Sequence, residues 1–134
     1  MSRNINISIT EPSDKNTIHI NDLASIINYS CDSIKVACLE FLPENAHGQV
    51  INILLSKLKP LGKLIITINN VTSITKNFMA GSMSYQDFLT FFQNKQSLLS
   101  IDSLYTFIDF NTFDIIHINQ EEYFTTLFLE RKQL

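Results

Sequence analysis

The stretch His47 to Asn70, HGQVINILLSKLKPLGKLIITINN, constrains the fold more than any other part of the chain. Ile51, Leu54, Leu55 and Leu58 recur at i, i+3, i+4 and i+7, one apolar stripe of a helix. Gln49, Asn52, Ser56 and Lys59 fall on the other side, toward water. Pro60 cannot continue a helix and turns Lys59 away from helical angles. Gly62 is expected to supply the backbone freedom of a tight reversal. Lys63 to Ile68, KLIITI, is β-branched and apolar on both faces, which predicts a central strand covered on both sides.

The flanking chain supplies short elements. Ile5, Ile7 and Ile9 alternate with Asn6 and Ser8, a strand over 5–9. Glu11-Pro12-Ser13-Asp14 reads as a turn, and Thr17 to Ile20 as a second strand. Parallel crossovers usually need about a dozen residues. The connection Thr10 to Asn16 is therefore either tight and helix-free or an antiparallel return. Ala24 to Tyr29 reads as a loop or a single turn, and Asp32 to Leu39 as a third strand. Asn45 is placed to cap the central helix. Beyond it, Val71 to Met79 is a short helix ended at Gly81. Ser84 starts another, with Asp87 three residues on. Ser100 caps a third, and Ile101, Leu104, Tyr105 and Ile108 give it an apolar stripe. Phe113 to Ile118 and Tyr123 to Glu130 form an antiparallel hairpin about Asn119 to Glu122.

Length and composition exclude several classes. At 134 residues the chain reads as one domain over 1–134, able to bury its own core. A net charge of −3 gives no general drive toward nucleic acid or anionic membranes. No apolar run approaches a membrane span, and Met1 to Asn6 lacks a signal-peptide core, so a cytoplasmic protein is expected. Cys31 and Cys38 form no CxxC pair and read as reduced core thiols. His19, His47 and His117 lack ligand-like spacing, so no metal site is expected. Phe88, Phe91, Phe92, Phe107, Phe110 and Phe113 sit at helical spacing without basic neighbours, which favours core or an oligomer interface over base stacking.

The wording KLKPLGKLIITI resembles the L-K-P-G-G-x-L turn and following strand of class I S-adenosylmethionine-dependent methyltransferases. INISITEP is similar to that family's second strand, and IHINDLASI to its third strand and acidic loop. DSIKVACLEFLP is similar to DEIYASHVLEHFP, and SIDSLYTFIDFNTFDIIHI to the family's last helix and following strand. The likeness is greatest to short enzymes of sugar-modification clusters and to small phage-encoded methyltransferase-like proteins. It implies a truncated Rossmann-like α/β sheet, mostly parallel, with a C-terminal antiparallel hairpin and helices on the faces.

By the same resemblance the chain begins at the second strand. The first strand, its glycine-rich cofactor loop and its helix have no counterpart, and Gly48, Gly62 and Gly81 all lie later. Ser8 stands where an acid should hold the ribose, with Glu11 the nearest carboxylate. Asp22, after Asn21, matches the adenine-side acid, and Glu40 matches a glutamate near the mouth of the cofactor site. Since the missing strand is central in the family sheet, its neighbours must pair directly or leave a gap for a partner. A homo-oligomer or a second protein subunit is expected. The expected function is a degenerate, non-catalytic methyltransferase-like domain acting through protein contacts, in a virion if phage-encoded. One alternative is a methyltransferase whose S-adenosylmethionine site is completed by another subunit. Another is a small-ligand binder at the carboxyl ends of the strands, lined by Asp22, Asn69 and Asn70.

Overall fold

The computed structural model describes residues 3–10 and 14–133. Its strands are β1 (Asn4–Ser8), β2 (Thr17–His19), β3 (Cys31–Val36), β4 (Leu58–Asn69), β5 (Phe113–Gln120) and β6 (Phe124–Arg131). They form a six-stranded sheet in the order β2-β1-β3-β4-β6-β5. β1 pairs in parallel with β2 and β3, and β3 in parallel with β4. β6 is antiparallel to both β4 and β5. The sheet is thus mostly parallel and closes on the expected C-terminal hairpin. The helices are α1 (His47–Ser56), α2 (Val71–Met79), α3 (Tyr85–Thr90) and α4 (Ile101–Tyr105).

Direct pairing of β1 with β3 decides between the two outcomes left open by the sequence. Ile5 lies opposite Ile34 and Ile7 opposite Val36, so no slot separates these strands. The tight crossover is likewise settled as parallel. It carries no helix among its described residues, and the Asn6 amide donates to the Asn16 carbonyl at 2.8 Å. Asp14 helps the return by accepting from the Asn16 amide and the Thr17 hydroxyl. The remainder of the turn expected at Glu11 to Asp14 lies outside the described residues.

One face of the sheet carries the core. Ile5, Ile7, Ile34, Leu64, Ile66, Leu127 and Leu129 meet Ile51, Leu54 and Leu55 of α1 and Leu104 of α4. The apolar stripe of α1 is buried as expected, and Leu58 begins the next strand at full burial. The opposite face differs from the expectation of cover on both sides. Its register row Asn6, Lys35, Ile65, Phe128 and His117 is exposed or half-buried, as are Lys63 and Thr67. The β1–β2 connection is too short for a crossover helix that could lie over it.

Three local expectations are corrected. Asn45 does not cap α1, because a 3₁₀ turn over Glu44–Ala46 precedes it and Ala46 occupies the cap position without a side-chain bond. The third strand stops at Val36, and a 3₁₀ turn over Leu39–Phe41 replaces its end. The Pro-Gly reversal is a bulge inside β4 rather than a turn before it. Cys31 pairs with Leu58 and Ser33 with Lys63, so residues 59–62 bow out opposite Asp32. The left-handed residue there is Leu61, at φ 66°. Gly62 is needed for space instead: a Cβ would sit 2.7 Å from the Cys31 carbonyl oxygen and 2.8 Å from that of Lys59. Gly81 is the glycine that takes positive φ, at 79°, after α2.

The aromatic segment is mostly a satellite of the core. Phe78 stacks on Phe88 at 4.4 Å and Phe88 meets Phe92 edge-on, while Tyr85 and Leu89 are exposed. Phe113 is buried and Phe107 packs against the core. Both cysteines are buried and unbridged, and burial pushes the Cys38 thiol up.

Two predictions follow from these contacts. Gly62→Ala should lower unfolding free energy by roughly 2–3 kcal/mol, since backbone rather than a movable side chain blocks the methyl. Gly81→Ala, in open space, should cost about 1 kcal/mol for its positive φ alone. Urea titration ranks them, and the reverse order would refute the close-packed bulge. The second concerns Asp32. The Arg3 backbone N–H, at 2.6 Å, is the main influence holding its carboxyl below the ordinary 3.8, with Lys59 assisting against some desolvation. A lowered folded value means the stabilisation is present above the ordinary range and is lost as pH falls through the folded value. Asp32→Asn should flatten the acid limb of stability against pH, and an unchanged limb would contradict the link.

Candidate functional site

The carboxyl ends of the strands are where an open α/β sheet binds ligands. Here that edge is crossed by residues 91–99, between α3 and α4. Their attachment centres on Glu40, in the 3₁₀ turn after β3, whose residue is 3% exposed. One carboxylate oxygen accepts from the Asn69 amide at 3.1 Å and from the Lys95 ammonium at 3.2 Å. The other accepts from the Leu99 amide at 2.9 Å. The Glu40 carbonyl accepts from the Gln96 and Ser97 amides. One residue thus joins the end of β3, the end of β4 and the crossing segment.

Neighbouring bonds complete the attachment. The Gln96 side chain donates to the Phe41 carbonyl, and the Ser97 hydroxyl to the Leu42 carbonyl. His47 is 1% exposed, and its Nε2 lies 3.0 Å from the Leu39 carbonyl and 2.8 Å from the Ser97 hydroxyl. Since a carbonyl can only accept, Nε2 carries the proton. Asn69 Nδ2 donates to the Phe91 carbonyl at 2.8 Å. Lys95 also stands 5.4 Å from the centre of the Phe41 ring. A buried carboxylate is tolerated when a cation and amide donors together replace its water.

Ser8 and Asp22 lie apart from this knot. The Ser8 hydroxyl donates to the Thr10 carbonyl at 2.8 Å. Asp22 is exposed in a 3₁₀ turn over Ile20–Ser25 that begins immediately after β2. His19 organises that turn: Nε2 donates to the Ile9 carbonyl and Nδ1 accepts from the Asn21 amide. His117 is exposed on β5 beside Phe128. Among the described residues no three His, Cys, Asp or Glu side chains gather as a metal site. No described helix is long and apolar enough to cross a membrane.

Ser8, Asp22 and Glu40 are the residues assigned to the cofactor by resemblance, and they do not line one cavity. Glu40 borders a space of about 60 Å³ with Ala37, Thr67, Asn69, Lys95 and Phe124, which neither of the others reaches. That is room for about two waters, where ligand sites usually need about 300 Å³ or more. In this arrangement S-adenosylmethionine does not fit the residues assigned to it, so no step is derived through it. The role of Lys95, Gln96 and Ser97 was not readable from sequence, where they follow the aromatic segment without a motif.

No protein-family model and no curated protein sequence matches the chain. Solved structures do. A SAM-dependent methyltransferase from Thermotoga maritima superposes with TM-score 0.63 at 14% identity, over 98% of this chain and 83% of that one. A 1,6-didemethyltoxoflavin-N1-methyltransferase from Burkholderia thailandensis, with S-adenosylhomocysteine bound, gives 0.60 at 8% identity, over 95% and 60%. A protein from Bordetella parapertussis gives 0.60 at 13%, over 88% of this chain and 45% of that one. The chain therefore spans about half the length of some of the structures it resembles. It has the fold of S-adenosylmethionine-dependent methyltransferases, as the KLKPLGKL turn and the element order implied.

Breaking the knot should be costly. Glu40→Gln should lower stability by about 3 kcal/mol, because it leaves the buried Lys95 ammonium without its counter-charge. Lys95→Met should cost less, about 1–2 kcal/mol, because the Asn69 and Leu99 amides still satisfy the carboxylate. Urea unfolding measures both. A loss under about 0.5 kcal/mol for Glu40→Gln would show that these bonds do not hold the segment.

Proposed function

We propose that this chain is a methyltransferase-like domain that works through protein contacts rather than by methyl transfer. The capture of Glu40 carries this reading. The side chain matched to the mouth of a cofactor site is spent on Asn69, Lys95 and Leu99. Direct β1–β3 pairing supports it, since no strand bearing a glycine-rich loop stands between them. The toxoflavin enzyme from Burkholderia thailandensis holds S-adenosylhomocysteine on a similar fold. That cofactor is the one to test here.

The contact surface proposed is the exposed sheet face, and its occupant a second copy of the chain. Within the chain Lys63 of β4 pairs with Glu130 of β6 at 3.5 Å and Lys132 with Asp114 of β5 at 3.6 Å, while Lys35 of β3 is exposed on this face and has no ion pair among the described residues. A twofold-related copy laid face to face brings the Lys35 of each toward the acidic side of the other. Ile65 and Phe128, adjacent in register between those sides, supply the apolar centre.

Calorimetry with S-adenosylmethionine and S-adenosylhomocysteine, with molar mass measured by light scattering, tests both parts. The expected result is no binding at millimolar ligand and the mass of a dimer. Micromolar, stoichiometric cofactor binding would overturn the non-catalytic reading. Lys35→Glu should weaken the dimer about tenfold, and a monomer at every concentration of the parent protein would remove the second copy as partner.

A further inference from the structure

The amino ends of the parallel strands lie at the far side of the sheet from Glu40. Residues 27–30 lead into β3 there, beside the start of β4 and its bulge over 59–62. The Tyr29 amide donates to the Ser56 carbonyl at 3.2 Å, and the Ser30 amide to that of Lys57 at 2.9 Å. Three consecutive residues of this loop are each held by a different cation. Lys57 Nζ donates to the Asn28 side chain at 2.8 Å, and Arg3 to the Ser30 hydroxyl at 3.4 Å. Arg131, at the end of β6, places its guanidinium carbon 4.4 Å from the centre of the Tyr29 ring and donates to the Leu58 carbonyl at 3.3 Å.

Two features define what this end recognises. The first is charge. Among the described residues none of these three cations has a carboxylate partner, because Asp32 is engaged by Lys59 and the Arg3 amide, and Glu130 by Lys63. Gathering like charges about one loop costs free energy until an anion joins them. The second is apolar display. Ile27 is 70% exposed, Tyr29 57% and Leu61 49%. Tyr29 and Leu61 also take left-handed backbone, at φ 60° and 66°, a conformation unfavourable for residues with a Cβ. Burial of these two side chains does not offset that strain, and such outliers mark sites with work beyond folding.

We propose that this end of the molecule docks an acidic segment of a partner protein. Carboxylates of the segment meet Arg3, Lys57 and Arg131, and a large apolar side chain between them lies against Ile27, Tyr29 and Leu61. A peptide fits better than an anionic lipid surface, because a lipid plane also meets the carboxylates of Asp32 and Asp114 at this same end. The inference goes beyond the sheet-face pairing and uses none of its residues. Its failure would leave the dimer and the cofactor result as they stand.

The test is fluorescence anisotropy of the full chain with a labelled peptide, Asp-Glu-Leu-Phe-Glu-Asp-Leu-Glu. The expected Kd is about 100 μM or tighter at low salt, rising at least about fivefold at roughly 0.5 M salt. The same peptide with Asn and Gln in place of its acids should bind at least about tenfold more weakly. Glycine accepts the left-handed backbone, so Leu61→Gly should leave the urea midpoint no lower while weakening the peptide about fivefold. Absence of binding at millimolar peptide would overturn the proposal. So would equal affinity for the uncharged peptide, or unchanged affinity in Leu61→Gly. Binding to vesicles of phosphatidylglycerol and phosphatidylcholine, with none to the peptide, would assign this end to a lipid surface instead.

Discussion

A single carboxylate holds the functional edge of this protein in its present form. Glu40 receives an ammonium and two backbone amides from segments 29 to 59 residues away. Each donor has a different origin, so the bond set fixes three pieces of chain relative to one another. The energetic logic is asymmetric. A buried ion pair adds little over a well-packed apolar replacement, but losing one partner is expensive. The arrangement therefore resists single changes, and it keeps residues 91–99 across the ends of β3 and β4.

The sheet beneath is compatible with that closure. With β1 paired directly to β3, the strand edges at this point are satisfied within the chain. One face holds the apolar core and the other carries Asn6, Lys35, Lys63 and Glu130 among half-buried Ile65 and Phe128. A sheet covered on one side tolerates this alternation because the exposed face is largely polar. The fold of a methyltransferase is thereby kept, while the residues matched to its cofactor are dispersed. Fold does not fix function, and at this edge few residues decide the chemistry.

Much of the architecture was legible because its signals are local. The stripe Ile51, Leu54, Leu55 and Leu58, the caps at Ser84 and Ser100, and the hairpin about residues 119–122 all depend on neighbours in sequence. The misreadings came from long-range effects. Gly62 was read as a source of unusual angles, yet Leu61 takes them and Gly62 yields space to the Cys31 carbonyl. Asn45 had the right chemistry for a cap, but a preceding 3₁₀ turn displaced it. KLIITI looked apolar on both faces, and the missing cover depends on how β1 joins β2. Resemblance matched Glu40 to the mouth of a cofactor site and said nothing of Lys95, which lies 55 positions on, is bonded to it and carries no motif.

Native-state hydrogen exchange at the Asn69 and Leu99 amides is the most direct measurement. Both donate to the Glu40 carboxylate from separate segments. If Glu40 locks the edge, the two amides exchange only through openings close to global unfolding, and both lose protection together in Glu40→Gln. Fast exchange at Leu99 beside slow exchange at Asn69 would show instead that the crossing segment opens freely, leaving the carboxylate available to a cofactor.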